Sequence, residues 1–477
     1  MKKFTRKYPL YYIAFTVLTF TLAVTLSACD GTDTGNGDVE IDEGAIVVPD
    51  DYSTIEEAIE ASEDGDEIVV QPGTYNENIN YQGKNITIRS VDPENPEIVA
   101  DTVIDGGGTD SVVSFKNEEG EDAVLSGFTI TGGSGNRENL EFEIEGEMRE
   151  EPANYGGGII ILRDCSPTII NNVITNNVSS RAGGIMVYHA SPFIRDNKII
   201  DNVADGGGGG LFIVDSSATV RANEIADNTA GRSGGAVAVS GEAEAMSVFE
   251  ANTIHNNRAD NGGAFSFFQT NPSVLNNSIF DNNAENNGGG FFIAESSPEI
   301  VDNDISDNYA GSLGGGMAIF IGSSPTLENN IIIGNEADAG GGVAVNIDSS
   351  PTIKINTISD NRATNGGGLA LSNQANAEVT DNDITDNYAE RNGAGIFIQA
   401  SDPIIDGNLM RSNESRRDGG GLFITAESNI TAANNSFEGN RARSGGAIYK
   451  AEGAILELND PDDNVYEENA PDDIYEE

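Results

Sequence analysis

A unit of about 26 residues recurs along most of this chain, and it constrains the fold more than any other feature. Gly-Gly punctuations, once replaced by Gly-Ala-Gly at Gly395, end at Gly158, Gly184, Gly210, Gly235, Gly263, Gly290, Gly316, Gly342, Gly368, Gly395, Gly421 and Gly446. Inside the intervals one Asn is followed five residues later by another, from Asn172 and Asn177 to Asn435 and Asn440. Between the two Asn sits an apolar residue: Ile174, Ile199, Ile225, and so on to Met410 and Phe437. Two residues after the second Asn comes Ala, except at Ser179 and Ser415. Apolar positions five apart do not draw a helical stripe, which needs spacings of three and four. Short β segments broken by corners fit, because Asn and Gly tolerate the left-handed backbone that a corner requires. Three strands of roughly four to five residues and three corners fill one coil of this length. Stacked coils then pair their strands in parallel at ~4.8 Å, with Ile on Ile inside and Asn on Asn at the corners. No single coil can bury its own apolar side, so the array must stack.

The strand after each Gly-Gly carries apolar residues at its first and third positions, as in Ile159 and Ile161 or Leu422 and Ile424. These are assigned to the interior. The second position is apolar too, and we place Ile160, Phe212, Phe265, Phe292, Phe397 and Phe423 on an outward face. That face is either buried on both sides or forms an exposed apolar strip. Phe212, Phe265, Phe292, Phe397 and Phe423 are accordingly candidates for stacking on sugar rings or on a partner.

The fold class expected is all-β: a right-handed parallel β-helix of about 26-residue coils with a short N-terminal capping helix. The array resembles right-handed parallel β-helix proteins of the pectin-lyase-like superfamily. Single units such as Phe437 to Ile448 are similar to the repeats of polymorphic outer-membrane proteins. Right-handedness is what that resemblance implies, and parallel crossovers favour it generally. Ser53-Thr54-Ile55-Glu56 carries a capping-box signature, with Ile55, Ala58 and Ile59 on one helical face. That stretch is similar to the N-terminal cap of many secreted β-helix proteins. The expected division is 45–131 for the cap and irregular first coils, 132–155 for an excursion, and 156–458 for regular repeats. The β-helix domain as a whole is set at 45–465, with an acidic tail over 466–477.

The first residues read as an address. Lys2, Lys3, Arg6 and Lys7 precede an apolar run from Leu10 to Leu26. Leu26-Ser27-Ala28-Cys29 resembles the bacterial lipobox, which implies cleavage of residues 1–28 and lipid on Cys29. Residues 29–44 are rich in Gly, Asp and Thr and read as a flexible tether. The expectation is an extracytoplasmic lipoprotein, at an outer membrane or cell surface, whose partners are the membrane and a polysaccharide or other cell-surface component. The chain holds 78 Asp and Glu against 25 Lys and Arg, a formal net charge of −53. Removing the signal takes four bases and no acid, for −57. That charge repels phosphates, so nucleic acid is not expected as a partner.

What the superfamily resemblance implies chemically is open, because that fold hosts lyases, hydrolases, esterases and binding modules. The Gly-His-Gly motif of polygalacturonase-like enzymes does not appear, since the two histidines are His189 and His255 in other contexts. The Trp-containing motif of pectin methylesterases does not appear either, as the chain has no Trp. No catalytic set transfers. The leading expectation is a surface scaffold for binding or adhesion, and the alternative is a Ca2+-dependent polysaccharide lyase. Ca2+ is the cofactor the carboxylates bring to mind. Asp201, Asp227, Asp281, Asp307, Asp360 and Asp386 all precede the second Asn of a unit, and should align along one corner. They are candidate cation ligands on one reading and a solvated acidic corner on the other. Arg163, Arg195 and Arg221 are candidates for the base of a lyase, and surface ion pairs are the competing reading.

Overall fold

The computed structural model describes residues 44–144, 147–241, 246–458 and 464–477. Lys2 to Leu26, the lipobox and Cys29 lie outside the described residues.

The array is a parallel β-solenoid, and each regular coil carries four strands, one more than the repeat unit led us to expect. The coil that starts after Gly184 shows the plan: Ile185–Tyr188, Phe193–Arg195, Lys198–Ile200 and Val203–Ala204. Stacking of equivalent strands builds a first sheet of 15 strands, a second of 16, a third of 15 and a fourth of 10. Pairing is in register, so like falls on like: Ile174 on Ile199, Ile199 on Ile225, Ile279 on Ile305. All of these side chains are fully buried. The fourth strand was missed because it is two to five residues long and buries only the Ala column.

The Asn pairs explain the corners. Among the described residues, the one before each ladder Asn has left-handed φ, whether Asn171, Asp196, Ala222 or Ile355 at the first corner, or Asp201, Asp227 and Asp307 at the second. The Asn that follows is buried, and its Oδ1 accepts from both the backbone N–H and the Nδ2 of the Asn one coil before. Its Nδ2 also donates to a carbonyl of the coil before that acceptor, as Asn308 does to Ile279 at 2.9 Å. Every polar atom of the amide is therefore satisfied in the interior. The two ladders run from Asn172 to Asn464 and from Asn177 to Asn469.

Glycine is required where the coil turns back. Gly314 has φ +66, and Gly315 is held against the next coil. A Cβ on Gly315 would lie 2.5 Å from the Gly341 carbonyl oxygen and 2.6 Å from the backbone of Glu336 in the fourth sheet. The middle glycine thus lets the fourth sheet seat directly on the glycine turn.

Both ends are built from sequence features. Helix α1, Ile55–Ala61, is capped by Thr54, whose side chain accepts from the Glu57 N–H at 3.1 Å. Its Ile55, Ala58 and Ile59 are fully buried in the core. A second helix, α2 over Pro96–Asp101, was not anticipated. At the other end, the segment expected as an acidic tail is a further coil. Val465–Glu467 joins the third sheet and Ile474–Glu476 the first, because Asn464 and Asn469 keep the five-residue spacing of the ladders.

The excursion at 132–155 is an antiparallel hairpin of Asn136–Ile144 and Glu147–Tyr155. It covers the outward face of the first sheet, where Leu140 and Tyr155 pack with Ile160, Met186, Tyr188 and Phe212. Arg181 holds its flank through Glu151 at 2.6 Å. Here the first sheet is buried on both sides.

Candidate functional site

The five phenylalanines do not form one strip. Phe212 is under the hairpin, 5% exposed, with the Arg181 guanidinium 5.7 Å from its ring. Phe265 points into the core, where it stacks on Phe291 at 4.9 Å. Its outward placement was wrong because Ala264, not Gly263, holds the third position of that glycine turn, and a one-residue slip reverses every side chain of a strand. Phe292 lies outward against Phe320 at 5.6 Å. Phe397 and Phe423 stack at 5.5 Å, and the column continues through Tyr449 and Tyr475. In such a column neighbouring rungs occupy the ring faces and only edges are left over, so it stiffens the coils and is a poor platform for a sugar ring.

The acidic corner is also assigned by the backbone. Asp201, Asp227, Asp281, Asp307, Asp360 and Asp386 are exposed and all have left-handed φ, a conformation that Asp tolerates. They align, but Asn256, Gly334 and Ser412 interrupt the column at the equivalent corner. Among the described residues, no group of three or more His, Cys, Asp or Glu side chains is placed to hold a metal ion.

The other singled-out residues have local partners. Arg195 pairs with Asp196 at 2.6 Å, and Arg221 with Glu250 at 3.5 Å. His255 stacks on Phe280 at 4.9 Å. Cys165 is buried against Glu119, and burial pushes its thiol up to about 12. His189 and Arg163 line one cleft. Asn139, Glu141, Asp164 and Tyr188 line it too, beside the hairpin, and its volume is about 510 Å³.

The surface with the chemistry of recognition is the fourth sheet, which the sequence reading had folded into a corner. A notch of about 130 Å³ opens there across four successive coils. Its floor is the buried Ala column, Ala310, Ala337 and Ala363. Tyr309, 45% exposed, stands at one wall. Arg362 stands at the other, paired with Glu390 at 2.6 Å and with Glu336 at 3.9 Å. Tyr388 follows one coil on, with Arg362 4.8 Å and Arg416 5.7 Å from its ring. An aromatic ring, guanidinium donors and carboxylate acceptors thus surround a shallow, mainly polar space over the backbone of the Ala column. Tyr and Arg are the residues that interfaces enrich. The signal in the sequence was the small Ala preceded by a large variable residue, as in Tyr309-Ala310 and Arg362-Ala363.

Residues 102–279, 183–341 and 336–460 match the family model described as right handed beta helix region. The chain belongs to that family. Among solved structures, this right-handed β-helix is similar to the Siphovirus 9NA tailspike receptor binding domain, at 10% identity and a TM-score of 0.32. The match covers 89% of this chain and 76% of that one. No curated protein matches this right-handed β-helix.

Proposed function

We propose that this right-handed β-helix is a binding scaffold, held at the outside of a cell through lipid on Cys29, that captures polysaccharide along its fourth sheet. The notch carries the reading. Tyr309 offers a ring for stacking, and Arg362, Glu336 and Glu390 offer hydrogen bonds to hydroxyls. The Ala floor recurs from coil to coil, which suits an extended polymer better than a compact ligand. A flat, wet surface of this kind binds weakly per site and gains by engaging several units at once.

A glycan array probed with residues 30–477 and with the Tyr309→Ala variant tests the reading. We expect the variant to bind at least about tenfold more weakly, equivalent to ~1.4 kcal/mol, at an unchanged melting temperature. Binding that is indifferent to Tyr309 and Arg362 would remove the site. Labelled palmitate should enter the full chain and not its Cys29→Ser variant.

A second reading, polysaccharide cleavage, is favoured by one observation: the cleft beside the hairpin gathers Arg163, Asp164, Glu141, Tyr188 and His189. Unsaturated products from a uronate polymer, with or without Ca2+, would establish it, and intact polymer would end it.

A further inference from the structure

Nine of the 16 arginines after Cys29 lie in the short segment between a second ladder Asn and its glycines, while none of the five lysines does. The arginines converge at one end of the fourth sheet. The segments 388–392, 414–418 and 441–444 carry five arginines against three acids, on a chain of net charge −53. Arg391, Arg417 and Arg443 form a column on consecutive coils. The Arg417 N–H donates to the Arg391 carbonyl at 2.9 Å, and the Arg443 N–H donates to the Arg417 carbonyl. Arg443 is neutralised by Asp418, at 3.2 and 2.8 Å. Arg391 and Arg417 are exposed, and no carboxylate among the described residues lies within ion-pair distance of either. Arg416 and Arg441 flank them, also exposed and also without an ion pair among the described residues. Like charges one rung apart repel each other. On so acidic a chain, that arrangement contrasts with Arg362, Arg258 and Arg195, each of which has its acid.

We propose that Arg391 and Arg417, with Arg416 and Arg441 beside them, form an anion-selective extension of the notch that reads the carboxylates of a linear polyuronate. This rests on the polysaccharide reading and adds the ligand's charge to it. The Tyr388 ring joins the two parts, since Arg362 of the notch and Arg416 beside the column both lie against it. A polyuronate carries a carboxylate on every ring and can meet guanidinium groups repeated on every coil. The chain's overall negative charge does not forbid this, because exposed charges more than ~8 Å apart are largely screened at physiological salt. A duplex nucleic acid is the poorer fit, because its width would carry it over the neighbouring acidic corners.

The test uses residues 30–477, alginate as the polyuronate and dextran as the neutral polymer, with binding measured across a salt series. The charge-neutral variant R391Q/R417Q is compared with R411Q, an exposed arginine on the third sheet. We expect alginate to bind more tightly than dextran, and its affinity to fall with salt. R391Q/R417Q should lose at least tenfold for alginate, leave dextran unchanged, and reduce the salt slope by at most roughly 0.7 per arginine, the value for the more densely charged single strands of nucleic acid. R411Q should behave as the wild type. Equal affinity for the two polymers, or alginate binding that survives R391Q/R417Q, would overturn the proposal and leave the polysaccharide reading standing. A single-stranded oligonucleotide that binds as tightly as alginate would overturn the assignment to a glycan. Retention of neither polymer by the wild type would overturn both readings.

Discussion

Asn308 sits in the middle of the second ladder, fully inside the solenoid. Its Oδ1 accepts from the backbone N–H and Nδ2 of Asn282, both at 3.0 Å. Its Nδ2 donates to the Ile279 carbonyl at 2.9 Å and to Asn335 Oδ1 at 3.1 Å. Asn308→Ala deletes all four. Asn282 Nδ2 keeps its bonds to the Ile254 and Phe280 carbonyls, and Asn335 Oδ1 keeps the Asn308 N–H. The Asn282 N–H is left buried with no acceptor. At about 1 kcal/mol net for each bond, and 1–3 kcal/mol for the orphan, destabilisation of about 4 kcal/mol is expected once non-additivity is allowed for. Asn308→Asp should be at least as damaging near neutral pH. It faces the Ile279 carbonyl and Asn335 Oδ1 with an oxygen where the amide had a donor, and it buries a charge. The control is the neighbouring Asp307→Asn, exposed and left-handed at φ 52, where a change within ~0.5 kcal/mol is expected. Because an array couples mainly nearest neighbours, hydrogen exchange is a better assay than a single melting temperature. Protection should fall in the coils around residues 279–335 and persist far from them. A loss below ~1 kcal/mol for Asn308→Ala, or one no larger than that of Asp307→Asn, would refute the view that the buried amides hold the coils together.

Other outcomes follow from the same geometry. Gly315→Ala should destabilise by about 3 kcal/mol or more, because its Cβ meets backbone on two sides. Gly439→Ala, left-handed but with nothing within 4 Å, should cost only about 1 kcal/mol, and urea unfolding would compare the two. The Cys165 thiol ionises in the folded state only at about 12, against 9.0 for an ordinary thiol. Stability should therefore begin to fall as pH rises above about 9, this group contributing at most ~1.4 kcal/mol per pH unit, and Cys165→Ala should remove the part of the slope that sets in before the buried tyrosines Tyr81 and Tyr155 add theirs. Leu140→Asp should lift the hairpin and raise dye binding to the apolar face of Ile160, Met186 and Phe212. Adjacent exposed pairs such as Asp281 and Asp307 repel by ~0.8 kcal/mol in water, so moving from low to molar salt should raise the unfolding midpoint.

The parts that repeat strictly were legible in the sequence. The Asn pairs, the Ile column and the glycine turns recur because each must meet its own copy one coil away, so periodicity alone exposes them. The variable parts were not. The fourth strand escaped because its inward residue is Ala, and its outward ones, from Val178 to Tyr309 to Arg362, share no residue type. Phe265 was misplaced because Ala264 imitates a glycine where the chain needs only a small side chain, which shifted the strand by one. The notch was invisible for a further reason. Tyr309, Arg362 and Glu390 are 28 to 81 residues apart in sequence, and only stacking brings them together. The arginine column needed the register of Arg391, Arg417 and Arg443, which the unequal lengths of their segments conceal.

The central claim is that the fourth sheet is the binding face. Hydrogen exchange on residues 30–477 with and without a bound polysaccharide tests it most directly. The account predicts added protection confined to the fourth-sheet segments 309–313, 336–339, 362–365, 388–392 and 414–418. Protection that appears instead on the Asn corners, or around the cleft at residues 163–164 and 188–189, would contradict it.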